Sequence, residues 1–219
     1  MKNCIFCEKK ENIVFNTKNF YIKVGKGIIT SGHCMIIPKD HINAIGDIDN
    51  SLIGEFLHLK LKLINFLSDF FYEPFIVEHG AVMQSVFHAH IHFIPLKGSN
   101  YKEVSLMNDM VLSFIKDNQQ LSYEKINSFQ ELKNIYKKDH EYLYFEEGNK
   151  IIVIRTAENI RLMEKIKLNL SYRAFFSNKI GLSGISDWKL MTEQDLKNDN
   201  IKVKETVNKF KKFSDYYEQ

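Results

Sequence analysis

The chain has 219 residues, 44% of them hydrophobic and 26% charged, with 30 basic against 27 acidic side chains and a formal net charge of +3. That length suits one large domain, or one domain plus a substantial extension, with a real core. The near-balance of interleaved charges provides no polybasic membrane anchor and argues against nucleic acid as a partner. Arginine occurs only at Arg155, Arg161 and Arg173, so clustered arginines are not the means of reading phosphate. The first ten residues lack the apolar run of a signal peptide, and no stretch approaches the roughly 20 apolar residues that span a bilayer. Three cysteines do not make a secreted disulfide framework. A cytoplasmic protein is expected.

Cys4-x-x-Cys7 opens the chain. Residues 13–15 and 20–24 read as short strands around a polar turn, and Gly25-Lys26-Gly27 ends that pattern. Residues 31–38 form an apolar strand bounded by Gly32 and Pro38, in which Cys34 reads as a core thiol. From Asp49 the apolar period becomes helical and continues to Asp69, with a broad stripe suited to lying across a sheet. Pro74 precedes a strand at 75–79. After Gly98 the texture shifts. Residues 104–117 look helical, and Ser128-x-x-Glu131 has capping-box spacing for a helix to about Lys138. Residues 142–145 and 151–154 flank a Gly-Asn turn as a hairpin. A helix is expected from Leu162 to Lys179, ended near Gly181, and the tail from 202 to 217 reads as an exposed charged helix. No low-complexity linker or internal repeat is visible.

The stretch 87–95 carries His88, His90 and His92 in strict alternation with Phe87, Ala89, Ile91 and Phe93. Read as a strand, it sends three imidazoles to one face and the apolar residues into a core. A histidine-decorated surface strand is the plain alternative. One imidazole can attack phosphorus, a second can polarise phosphoryl oxygens, and a third can bind metal or fix a tautomer, so the pattern favours phosphoryl or nucleotidyl transfer. Cys4-x-x-Cys7 has the spacing of the usual first half of a tetrahedral zinc site; a pair of reduced N-terminal thiols is the alternative.

Gln-Ser-Val-Phe-His-Ala-His-Ile-His-Phe-Ile-Pro at 84–95 resembles the signature of the histidine-triad (HIT) superfamily. Gly-His-Cys-Met-Ile-Ile-Pro-Lys-Asp-His at 32–41 is similar to that family's second motif, and Cys-Ile-Phe-Cys to the opening of many bacterial members. The resemblance covers about the first 100 residues. It implies an α+β, HIT-like fold, an antiparallel sheet with a long helix packed across it. The HIT domain would occupy 1–100, with an α/β extension over 101–219 packed on it. It implies that His90 is the nucleophile on the α-phosphate of a nucleotide, that His92 and His33 contact phosphate oxygens, and that Gln84 and Ser85 donate hydrogen bonds there. It also implies a structural zinc on Cys4, Cys7, His41 and His88, with His88 turned toward the metal.

Transferase branches of the superfamily carry glutamine where this chain has His92, so the resemblance leans toward a nucleotide hydrolase. A nucleotidyltransferase and a non-catalytic nucleotide sensor remain as alternatives. Many members place an aspartate eight residues before the Gly-His histidine to hold the ribose; here that position is Gly25, and what replaces the contact is open. Small members form homodimers, and the extension could cap that surface or mimic a second subunit. Lys39, His79, Arg173 and Trp188 are further candidates: Lys39 and His79 for the phosphate pocket, Arg173 as a cation delivered by the extension, Trp188 as a packing anchor or base-stacking ring. His58 and His140 are expected at the surface.

Overall fold

The protein is described by a computed structural model that covers residues 4–8, 11–97, 105–175 and 191–218. Eight strands form one sheet: β1 (Ile13–Asn16), β2 (Phe20–Lys23), β3 (Cys34–Pro38), β4 (Glu73–Gly80), β5 (Ile91–Lys97), β6 (Tyr123–Lys125), β7 (Tyr142–Glu147) and β8 (Lys150–Ile154). Their order is β1-β2-β3-β5-β4-β7-β8-β6, and every neighbouring pair is antiparallel. The fold is α+β and HIT-like. β4 pairs on one side with β5 and on the other with β7, so the sheet runs unbroken from the first hundred residues into the extension.

Both faces of the sheet are covered, which is why β3 reads as a continuous apolar run and is buried at all five positions. On one face lies α1 (Ile53–Phe70), where Phe56, Leu59, Leu63, Phe66 and Leu67 recur at helical spacing and are buried. The Asp49 carboxylate accepts from the Ser51 amide at 2.8 Å and caps the turn that leads into it. Beside it sits α2 (Phe129–Asp139), opened by Ser128 as the capping box foretells. His140, at φ 61°, ends this helix in the left-handed conformation. The opposite face is covered by residues 106–114 and by Leu162, Ile166, Leu170 and Tyr172. The order helix, strand, strand occurs twice, as α1-β4-β5 and α2-β7-β8, with no matching sequence repeat. The second unit has no histidine in its strands, so the sheet carries one histidine row.

Three expectations change. The histidine stretch is a strand only from Ile91 onward, because the pairings with β3 and β4 both end there; upstream, the Ala89 amide donates instead to the Ile42 carbonyl at 2.7 Å. The expected helix from Leu162 is interrupted: after a 3-10 turn at Thr156–Leu162 it runs over Met163–Asn169 and resumes at 172–175. It breaks at Leu170 because Ser171 starts a new turn, its hydroxyl accepting from the Ala174 amide. The stretch from 176 to 190, with Trp188 and the expected helix end at Gly181, lies outside the described residues.

The tail is not an exposed helix. It forms α3 (Glu193–Phe210) and α4 (Phe213–Glu218), and Phe210 and Phe213 are buried against Phe66 of α1. The signal was weak because the buried face of α3 contains Asp199 and Thr206 as well as Phe210. Among the described residues, no helix is long and apolar enough to cross a membrane.

Candidate active site and metal centre

The α3 helix holds the loop that leads into the site. Asp199, 4% exposed, accepts from the amides of Gly27 (2.9 Å) and Ile28 (2.8 Å). Lys202 donates to the Ile28 carbonyl at 2.7 Å, and the Thr206 hydroxyl accepts from the Gly32 amide at 2.8 Å. Gly32 has φ 90°, and a Cβ there would stand 2.8 Å from the Phe71 ring, so only glycine fits beside this anchor. The loop so held delivers His33 to the start of β3.

Four residues on one face then form a row across the sheet: Lys23 on β2, Met35 on β3, His92 on β5 and Val77 on β4, each opposite the next. A cavity opens over this row. His33, His90, His92, Ser85, Tyr172 and Arg173 line its polar side, and Ile5, Phe6, Val24, Ile28, Met35 and Val86 its apolar side.

The hydrogen bonds fix the imidazole tautomers. His33 Nδ1 accepts from the Ile29 amide at 3.1 Å, so its proton lies on Nε2, which donates to His92 Nδ1 at 3.1 Å. His92 therefore carries its proton on Nε2, which lies 3.4 Å from the Tyr172 hydroxyl. His90 Nδ1 lies 2.7 Å from the His88 carbonyl, an acceptor only, so Nδ1 donates and Nε2 keeps a lone pair. Burial is the main force holding all three rings neutral. It pushes His90 down to about 4, with the charges of His79, His88 and Arg173 acting the same way against the helpful His88 carbonyl. His33 and His92 are also held well below their ordinary range, first by burial and then by neighbouring positive groups that include Arg173.

The third triad histidine turns elsewhere. His88 Nε2 donates to the Pro38 carbonyl at 2.9 Å, which leaves Nδ1 free. That atom lies 3.4 Å from Cys4 Sγ and 3.5 Å from Cys7 Sγ, and Cys7 Sγ lies 3.4 Å from His41 Nδ1. One ligating atom from each of the four residues falls within 4.8 Å of the others. The group could hold a metal ion. Phe6, between the two cysteines, packs against His88 at 5.8 Å and His90 at 5.1 Å between ring centroids, and Tyr21 donates to its carbonyl at 2.8 Å. The cysteine cluster and the histidine cavity thus share one wall.

Of the other expected residues, Ser85 lines the cavity, but the Gln84 amide donates to the Asn43 carbonyl at 2.8 Å and does not. Lys39 is exposed and donates to the Thr17 carbonyl at 2.6 Å, away from the cavity. His79 is outside the lining; its Nδ1 donates to the Met83 carbonyl, and its ring packs on Tyr172 at 5.9 Å. His58 and His140 are exposed as expected, and Cys34 is fully buried in the core. Arg173 does reach the cavity. Tyr172, Glu11 and Lys23 in the lining, and Asp199 behind it, carry no motif that would have singled them out.

A family model for the HIT domain matches residues 7–99. Over that stretch the chain is similar to HIT domains. The Protein hit of Bacillus subtilis is 29% identical over 109 residues, 44% of this chain and 73% of that protein. Among solved structures, a HIT-family member from Bacillus subtilis is 25% identical, covering 53% of this chain and 97% of its own, with a TM-score of 0.41. A zinc-bound histidine triad family protein from Mycobacterium smegmatis is 20% identical over 45% of this chain and 78% of its own, with a TM-score of 0.40. The matched stretch contains His33, His90 and His92, whereas Tyr172, Arg173 and Asp199 come from outside it.

Proposed function

We propose that this protein is a nucleotide hydrolase that acts on the α-phosphate of a nucleoside phosphate or dinucleoside polyphosphate through a nucleotidyl-histidine intermediate. The observation that carries the reading is the tautomer pattern: His90 presents a lone pair on Nε2, while the His33–His92 relay presents an N–H on His92 Nε2. His90 Nε2 attacks phosphorus, the bond to the leaving oxygen breaks, and its electron pair departs with that oxygen. The ring becomes cationic, and its Nδ1–H, still bonded to the His88 carbonyl, disperses that charge. His92 Nε2–H donates to a phosphoryl oxygen and Ser85 assists. Water then attacks phosphorus, the N–P bond breaks with its pair returning to Nε2, and the water's proton passes to solvent.

The Cys4, Cys7, His41 and His88 group fits zinc. Zinc–sulfur bonds of about 2.3 Å and zinc–nitrogen bonds of about 2.0–2.1 Å at the tetrahedral angle separate sulfur from nitrogen by about 3.5 Å. The three Sγ–Nδ1 separations of 3.4–3.5 Å match that geometry. The Pro38 carbonyl also fixes the His88 tautomer that ligation requires. Zinc held by these four residues would be structural, since four protein ligands would leave no open position for water. By pinning His88 it would hold the carbonyl that orients His90.

Hydrolysis assayed on dinucleoside polyphosphates and nucleoside phosphoramidates tests the function. Turnover that His90→Ala abolishes is the expected result; turnover that survives the substitution, or no turnover on any member, overturns it. The β4 edge of the HIT domain is taken by β7 of the same chain, so a homodimer would have to use another surface.

A further inference from the structure

The cavity carries more positive charge than a single phosphodiester group calls for. Among the described residues of its lining, Arg173, Lys23 and Lys26 stand against one carboxylate, Glu11. Arg173 is held in place. Its Nη1 donates to the Gly27 carbonyl at 2.8 Å, and its guanidinium carbon lies 5.5 Å from the Tyr172 ring centre. Tyr172 is itself 3% exposed, packed among His33, His79 and His92. Gly27 is anchored from its amide side by Asp199. The break at Leu170–Ser171 that ends the preceding helix directs these two side chains to the histidines. Lys23 stands on the same face as His92, two strand spacings or about 10 Å away through Met35.

We propose that Arg173 binds the leaving group, and that this group is a phosphate or polyphosphate. The proposal rests on the nucleotidyl-transfer reading above and names the substrate class for that site. When the bond from phosphorus to the bridging oxygen breaks, the electron pair stays on that oxygen, and the departing phosphate gains negative charge. A guanidinium, always charged and able to engage two phosphate oxygens at once, suits that charge. Lys26 adds positive charge to the same cavity, while the Lys23 ammonium is already engaged by the Glu11 carbonyl. A neutral amine leaving group would draw nothing from this arrangement.

Titration calorimetry with inorganic tripolyphosphate and with orthophosphate tests the proposal whatever base the nucleotide carries. The wild-type protein should prefer tripolyphosphate, and Arg173→Gln should weaken tripolyphosphate binding about tenfold or more while weakening orthophosphate about threefold or less. Equal weakening of both, no weakening, or no preference in the wild type would overturn it. Arg173→Lys guards against a folding defect: it keeps the charge and should keep most of the preference, and equal loss of both anions in this variant also counts against the proposal. His90→Ala separates the two readings. It should retain the tripolyphosphate preference while losing turnover; turnover that persists sinks the nucleotidyl-histidine reading and leaves the Arg173 result standing.

Discussion

Replacing Asp199 with alanine should destabilise the protein and loosen the cavity wall from more than 170 residues away in sequence. The carboxylate is 4% exposed and accepts two backbone bonds, from Gly27 at 2.9 Å and Ile28 at 2.8 Å. Alanine would leave two buried amides without an acceptor, at a cost of about 1–3 kcal/mol each, or roughly 2–6 kcal/mol together. Lys202, which donates to the Ile28 carbonyl, would also lose the favourable field of the Asp199 carboxylate, a change in the same direction. Urea unfolding measures the total, and amide hydrogen exchange at Gly27 and Ile28 locates it. Both amides should lose protection while those of β5 keep theirs. Asp199→Asn, which preserves one acceptor oxygen, should fall between alanine and wild type. A change below about 0.5 kcal/mol with both amides still protected would refute the idea that α3 fastens this loop.

Glu78 offers a pH test of the buried network beneath the sheet. It accepts from the Ile45 amide and the Tyr142 hydroxyl, yet burial raises it from 4.5 to about 7. A raised folded value means that its contribution is fully present below pH 4.5 and is lost as pH rises toward 7. Glu78→Gln should flatten that part of the stability profile, as urea unfolding across pH 4.5–7 would reveal; an unchanged slope would contradict it. His79 and His90, lowered by burial from 6.5 to about 4, act with the opposite sign, and their contribution is lost as pH falls from 6.5 toward 4. For turnover, kcat/KM should stay level down to about pH 5 and fall near pH 4 as His90 Nε2 takes a proton; an inflection at 6–7 would show the ring to be less buried than described. Purified protein should contain one zinc per chain by elemental analysis. Cys7→Ser should lose it and lower the melting temperature, and full-length protein without zinc but with unchanged melting would rule out the structural role.

The strands of the first hundred residues were legible because their apolar runs and turn residues agree with their packing, and α1 because its stripe is broad and its cap is present. The Gly-His and triad motifs singled out His33, His90 and His92, and pairing of β3 with β5 brings all three to one cavity. The ladder's end at Ile91 was not legible, because alternation continues upstream of the last residue that has partners on both sides. The tail misled because its buried face is partly polar: Asp199 and Thr206 are buried to satisfy loop amides, and periodicity of apolar residues is blind to that use. Arg173 could be nominated as an isolated arginine, but its arrival depends on the break at Ser171, a local competition between helix continuation and side-chain capping.

The most direct test of the account is to find the covalent bond. Wild-type protein mixed with a dinucleoside polyphosphate, quenched in base and digested, should yield a peptide containing His90 that is heavier by one nucleotidyl group. Phosphorus–nitrogen coupling in the NMR spectrum of the labelled protein should place the bond on Nε2. A nucleotidyl group on any other residue, or full turnover with the bond to Nδ1, would contradict it.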